Sequence, residues 1–362
     1  MSSTPYPSPS PLTAAVPAAL TTRAVGRPRS TLIRDTKERL ILGLLILCGA
    51  ITILITLLIV FILAQQAIGF FAPGITDVQR NQYDLGPGDF LGDLRWNPLT
   101  GAERHFGIWP LIVGTFQVTV VAMAIAIPLG LLVAIWLSEY ASPRKRAFFK
   151  PLIEIIAGIP TVVFGFFALT FVTPLLQLDL SGLTGTPNPD KANPLDIQIF
   201  NVLAAGITVG IMCIPIVTSL SEDALRAVPR ALREGSYGLG ASRFETTRKV
   251  VFPAALSGIV AACLLSFARA VGETMIVAIA AGFNPPELVN AAGEFTPGSI
   301  VAVNESTQTM TGYMVSVFFG DMQHGTIEYQ SVYAVGMTLF VITLLITFIG
   351  ALIRRRFRQQ YE

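Results

Sequence analysis

The sequence predicts an all-α polytopic membrane protein with six transmembrane helices, and three observations predict it. Six apolar runs, 40–64, 110–137, 152–177, 197–219, 250–281 and 331–353, are each long enough to cross about 30 Å of hydrocarbon. The segments between them alternate sharply in basic residues. The composition, 52% hydrophobic and 13% charged over 362 residues, is not that of a soluble domain.

The basic residues set the topology. One side holds Arg23, Arg27, Arg29, Arg34, Lys37 and Arg39 of the N-terminal tail, then Arg144, Lys145, Arg146 and Lys150. The same side holds Arg226, Arg230, Arg233, Arg243, Arg248 and Lys249, and finally Arg354, Arg355, Arg356 and Arg358. That is twenty of the 25 Lys and Arg residues. The opposite segments hold Arg80, Arg95, Arg104 and Lys191, and Arg269 lies inside a span. Basic segments stay in the cytosol, so both termini are expected there. The net charge of +2 is spent on this asymmetry and implies no nucleic-acid partner.

Each element has its own signals. Residues 1–38 read as a disordered basic tail, since the Ser-, Thr-, Pro- and Ala-rich start buries too little apolar surface to fold. The first helix, 39–66, is about twice the length of a signal-peptide core and lacks a small-x-small cleavage site, so it is expected to be retained. Residues 67–108 read as an external loop with acidic residues and a Gly86-Pro87-Gly88 turn. The second helix is flanked by Trp109 and Trp136, at the depth where indoles sit. The third contains Gly158, Pro160 and Gly165, breakers whose freed backbone groups need partners inside the protein. The fourth, with Pro215, leads to a polar insertion at 220–249. There Leu225, Val228, Leu232, Tyr237 and Leu239 recur near helical spacing around Pro229 and Gly235, which predicts two short helices with a turn. The fifth span is unusually long. Residues 282–330 lack Lys and Arg and read as external, with 307–320 apolar enough to lie on or dip into the membrane. The sixth helix ends at a basic tail, 354–362.

Cys48, Cys213 and Cys263 are scattered through apolar spans and read as small buried hydrophobes. His105 and His324 are isolated and read as solvated loop residues, so no metal site is expected.

Two features carry chemistry. The first is Arg269 with Glu273 in SFARAVGETMIVA. The spacing of four puts both side chains on one helix face. A lone Arg near mid-bilayer costs at least about 2.5–3.5 kcal/mol, which a partner carboxylate or a water-filled interior offsets. Either the two form an ion pair that locks helices, or Arg269 is a cation on a path for an anion, held or screened by Glu273. Guanidinium suits oxyanions, because its fork donates two parallel hydrogen bonds and its charge cannot be lost.

The second is the insertion. Glu234-Gly235-Ser236, then Gly240, then Val250-Val251-Phe252-Pro253 resembles the EAA loop of ABC importer permeases, E-A-A-x3-G-x9-I-x-L-P. Glu, Gly and Pro match in spacing, while Gly-Ser, Val and Phe replace Ala-Ala, Ile and Leu. A short helix outside the bilayer can seat in a groove on a soluble motor, and a following Gly allows a tight turn. The stretch Ser221–Ala280 resembles the permeases of oxyanion ABC importers. Gly-Glu-Thr-Met at 272–275, EDALRAVPRALRE at 222–234, AGIPTVVFGFF at 157–167, PLIVGT at 110–115 and LSEYA at 137–141 are most similar to phosphate permeases. Of the two permease types in that importer, the resemblance is to the one with Thr-Met after Gly-Glu, since its companion more often has Thr-Ala-Pro there.

The resemblance implies a type I ABC importer permease fold over 109–353 with a cytoplasmic coupling helix, in a bacterial inner membrane. It implies a second related permease, two ATPase subunits and an external phosphate-binding protein as partners. Glu234 and Gly240, with Leu232, Tyr237 and Leu239, would couple to the ATPase. Arg269 and Glu273, with Thr274 and Thr161 as hydroxyl donors, would line the path. The chain has no G-x-x-x-x-G-K-[ST] sequence, so ATP and Mg are expected on the partner subunits, with no cofactor and no enzymatic site in this chain.

Other oxyanions (sulfate, molybdate or tungstate) would suit the Arg-Glu pair equally. A secondary carrier predicts an internal repeat and intramembrane carboxylates for ion coupling, and no convincing repeat is visible. An intramembrane enzyme needs a nucleophile–base or metal constellation at depth, and no His lies in any span.

Overall fold

The structure is a computed structural model that describes residues 29–71, 86–98, 104–177, 196–290, 292–320 and 326–357. The expectations for residues 1–28, for Arg80 and Lys191, for His324 and for the end of the C-terminal tail lie outside the described residues.

Helix α1 (Arg29–Phe71) begins inside the stretch read as tail and runs past the expected end of the first span. Arg, Leu, Lys and Glu between 29 and 40 favour helix, and extending a helix costs less than starting one. Its Lys37–Phe71 portion is long and apolar enough to cross a membrane. Among the described residues, those up to Ile59 form one unit and those from Val60 onward a second.

Within the second unit, α2 (Pro87–Gly92) and a two-stranded antiparallel ribbon, β1 (Trp96–Asn97) and β2 (His105–Phe106), follow. The expected 67–108 loop therefore carries folded structure. His105 is half-buried in β2, its Nδ1 2.8 Å from Asp93 Oδ2, and is not a free loop residue. Next come α3 (Trp109–Tyr140), α4 (Pro143–Ala157), α5 (Thr161–Gln177) and α6 (Val202–Ala227). The segment expected to couple holds α7 (Arg230–Gly238), and α8 (Arg243–Val271) and α9 (Met275–Ala280) follow. Two short helices, α10 (Gly298–Val301) and α11 (Met310–Phe319), precede α12 (Ile327–Phe357).

Among the described residues five helices are long and apolar enough to span a membrane, or six if α4 and α5 count as one bent span. The third span, in which the sequence shows breakers, is this pair, and it bends by 85° at Gly158-Ile159-Pro160. Proline blocks the preceding turn and drives Ile159 out of helical geometry. The expected 32-residue fifth span is likewise broken. It starts earlier, at Arg243, stops at Val271 and restarts at Met275. The last helix starts before 331 and continues through the three-arginine anchor. The 220–249 insertion holds two short helices, Arg230–Gly238 and Arg243–Thr246, the second opening α8, while α6 extends to Ala227.

The core lies between α3, α5, α6 and α9, around Val118, Ala122, Phe164, Val209, Cys213 and Ile276. Small residues let α3 and α6 approach closely. A Cβ on Gly206 would fall 2.5 Å from Val121 Cγ1, and one on Gly210 2.9 Å from the Ala122 carbonyl oxygen. Thr218 Oγ1 donates to the Gly130 carbonyl at 3.2 Å. We expect Gly210→Leu to destabilise the protein by about 1–3 kcal/mol, since the clash is with backbone and cannot be relieved by a rotamer change. Thermal unfolding in detergent measures it, and an unchanged midpoint would show that the helices can separate freely. A second cluster packs Phe90, Trp96, Phe106, Tyr313 and Val335 around the ribbon.

Candidate functional site

The broken fifth span places the site. Helix α8 ends at Val271 with Gly272 as its cap, the Gly272 N–H bonding to the Ala268 carbonyl at 3.2 Å. Glu273 N–H reaches back to the Ala270 carbonyl at 3.3 Å, a tightened last turn that ends the helix. The carbonyl of Glu273, freed by the break, accepts from Thr311 Oγ1 at 2.7 Å. Thr311 Oγ1 is in turn 3.1 Å from Thr309 Oγ1, and Thr309 caps α11 by accepting from the Gly312 N–H. A broken membrane helix needs such internal partners.

The break separates the two charges. Arg269 is on the last full turn of α8 and is exposed, whereas Glu273 is buried beyond the cap. No ion pair joins them, which corrects the expectation of a shared helix face. Among the described residues Arg269 makes no ion pair, and its Nη2 rests 4.0 Å from Met212 Sδ on α6. A guanidinium in a span that is exposed and not neutralised can receive an anion.

Thr274 and Thr161 each stand at the start of a short helix, Thr274 capping α9 and Thr161 opening α5. These helices pack side by side through Gly165 against Ile276 and Ile279. Thr274 Oγ1 is only loosely held, by its own Gly272 carbonyl at 3.3 Å. Sequence reasoning missed Thr309 and Thr311, whose Thr-x-Thr spacing before an apolar helix was the available signal.

The second candidate face is the coupling segment. Gly240 has φ +84°, with its N–H bonded to the Tyr237 carbonyl at 2.9 Å and the Ala241 N–H bonded to the Ser236 carbonyl at 3.2 Å. This is a Schellman end to α7, and the left-handed residue is the reason for glycine there. The turn presents Leu239, 92% exposed, with Tyr237 and Phe244 also exposed. Glu234 is exposed on the same helix. Leu232 differs: it packs inward against a cluster of Leu225, Val228, Val251 and Ala255.

Sequence reasoning also missed Glu222, 1% exposed at the end of α6. Arg146 Nε donates to it at 2.7 Å and Lys150 Nζ at 2.8 Å, with Arg226 at 3.7 Å. These bonds fasten α4 to α6. We expect Glu222→Ala to lower stability by about 2 kcal/mol, below the 3–5 kcal/mol of a sealed pair, because Arg146 and Lys150 can turn toward water. The midpoint of unfolding checks this.

A family model described as the binding-protein-dependent transport system inner membrane component matches residues 126–359, which takes in the broken helix and the coupling turn. The chain belongs to this family. Among relatives of this inner membrane component is the probable ABC transporter permease protein YqgH of Bacillus subtilis, 33% identical over 79% of this chain and 84% of its own. Another is the phosphate transport system permease protein PstC of Mesorhizobium japonicum, 32% identical over 71% of this chain and 75% of its own. Among solved structures it is similar to the inward-facing MetNI methionine ABC transporter, at 20% identity and TM-score 0.45, over 70% of this chain and 95% of that one.

Proposed function

We propose that this chain is the permease subunit of an ATP-driven importer of inorganic phosphate, with Arg269 as the cation that phosphate meets on its way through. The observation that carries the reading is Arg269 itself: a charge kept in a span, exposed, and left without an acid partner among the described residues. A permanent cation there serves an anionic cargo and would be a cost without one. Phosphate rather than another oxyanion rests on relatives such as the Mesorhizobium PstC protein and on the Gly272-Glu273-Thr274-Met275 run.

In this reading the basic loops and both termini face the cytosol, and ATP and Mg bind on two ATPase subunits that seat against α7. A related second permease completes the path, and an external binding protein delivers phosphate at the opposite face. Thr161 and Thr274 stand ready as hydroxyl donors, while Glu273, buried and not ion-paired to Arg269, keeps the local charge balanced without sequestering it. A site of this kind must hold its anion weakly enough to release it.

The test is uptake of labelled phosphate into vesicles holding the assembled importer, with sulfate and molybdate as competitors. Uptake that requires ATP and the binding protein, and that excess sulfate or molybdate does not suppress, is expected. Preferential suppression by either would reassign the cargo, and uptake without any ATPase would remove the class.

A further inference from the structure

Helix α7 has nine residues and none of them is buried. A helix so short is not stable alone, so something must fasten it to the bundle. Leu232 contributes apolar packing, and Ser236 Oγ lies 2.9 Å from Thr246 Oγ1. The charged connection is Arg233. Its Nη2 donates to Glu139 Oε1 at 2.9 Å and to the Leu225 carbonyl at 2.8 Å, and its Nη1 donates to the Val228 carbonyl at 2.6 Å. Its Nε is 3.4 Å from Glu139 Oε2. The side chains are 16% and 5% exposed, so this is no solvated surface pair.

The ends of two helices, α6 and α3, meet on this one guanidinium of α7. Leu225 lies in the last turn of α6 and Val228 caps it; carbonyls at a helix end lack partners further along their own helix. Glu139 lies in the π-helical turn Trp136–Tyr140 that closes α3. The wider turn changes the direction in which the last side chains of α3 project. The helices α3 and α6 are themselves locked by the close contacts at Gly130, Gly206 and Gly210, so a push on their shared ends moves them together. Helix α6 also carries Met212, against which Arg269 rests.

We propose that Arg233 and Glu139 are a positioning pair, the joint through which displacement of α7 by a nucleotide-driven partner reaches the α3–α6 block and, through α6, the surroundings of Arg269. This rests on the proposed function, since it requires an ATPase seated on α7. A pair that merely stabilised the fold would alter the amount of assembled protein. A transmitting pair alters the anion carried per ATP hydrolysed.

The experiment uses the complete importer in liposomes and measures assembly, ATP hydrolysis and phosphate uptake together. Glu139→Gln keeps the shape and a hydrogen-bond acceptor, and Arg233→Gln removes the fork. Each is expected to assemble and to hydrolyse ATP, with phosphate uptake per ATP about tenfold lower, the size of effect expected for one lost charge-assisted hydrogen bond. Arg233→Lys, which keeps a cation able to donate to Glu139, is expected to retain part of that ratio. Glutamine variants with the normal ratio, losses of hydrolysis and uptake in equal measure, or a lysine variant no better than Arg233→Gln would each overturn the joint. Should Arg233→Gln fail to assemble, Glu139→Gln decides. ATP-driven uptake by the unaltered importer alongside unaffected variants would overturn the joint alone, whereas uptake with no ATPase present would overturn the proposed function with it.

Discussion

Arg269→Gln is expected to lower phosphate uptake by at least about a hundredfold while leaving the chain folded and assembled. The size follows from the chemistry: a bidentate guanidinium–oxyanion contact comprises two charge-assisted hydrogen bonds, each worth about 1.5–3 kcal/mol, and 1.4 kcal/mol is a tenfold change. The folding tolerance follows from the surroundings. Arg269 is exposed, makes no ion pair among the described residues and touches Met212 at 4.0 Å, so glutamine breaks no ion pair there. Arg269→Lys should retain part of the activity, as a point charge without the fork. Glu273→Gln separates this from a structural ion pair. If the two residues worked as a pair, both variants would fail alike; with no ion pair between them in the structure, the neutral variant of Glu273 is expected to lose less than Arg269→Gln. Uptake assays on purified, reconstituted protein read all three. Normal uptake by Arg269→Gln would remove it from the path.

The contrast between the two residues also shows what the sequence could convey. Six apolar runs and the alternation of basic loops were legible because bilayer thickness and charge retention act on composition directly. The E-x5-G spacing of the coupling turn was legible because a Schellman end demands glycine at one place, and the structure puts Gly240 there at φ +84°. The break after Val271 was not legible. Gly272 alone is tolerated inside many helices, and what stops α8 is a partner remote in sequence, Thr311, which takes up the freed carbonyl of Glu273. The same holds for the 85° bend: the breakers at Gly158 and Pro160 were visible, but the bend angle depends on how α5 packs on α9 and how Glu222 ties α4 to α6. Long-range polar bonds of this kind, including the grip of Arg233 on Glu139, leave little local pattern. Each is one charged residue at the end of an apolar helix, which looks like an ordinary interface anchor until its partner is placed.

Gly240→Arg is expected to uncouple ATP hydrolysis from transport, and two separate effects need to be distinguished. The first is backbone strain. Gly240 lies in the left-handed region, where an L-residue with a Cβ costs about 1–2 kcal/mol. Losing the turn would release the bonds from Gly240 N–H to Tyr237 and from Ala241 N–H to Ser236, and would fray the end of α7. The second is bulk. A Cβ at Gly240 meets nothing within 4 Å, so the chain itself has room for a side chain, and the long cation would project into the space that a partner docked on Leu239 and Tyr237 occupies. Asparagine tolerates left-handed geometry, so Gly240→Asn keeps the turn with a small side chain and is expected to stay nearly coupled. Gly240→Ala adds strain with almost no bulk and is expected to be intermediate. Gly240→Arg adds both and is expected to lose the most uptake per ATP. If alanine and arginine fail equally, the turn geometry alone matters. If arginine alone fails, the surface around Leu239 is the docking face. Arginine at Gly240 with full coupling would mean that the ATPase seats elsewhere on the chain.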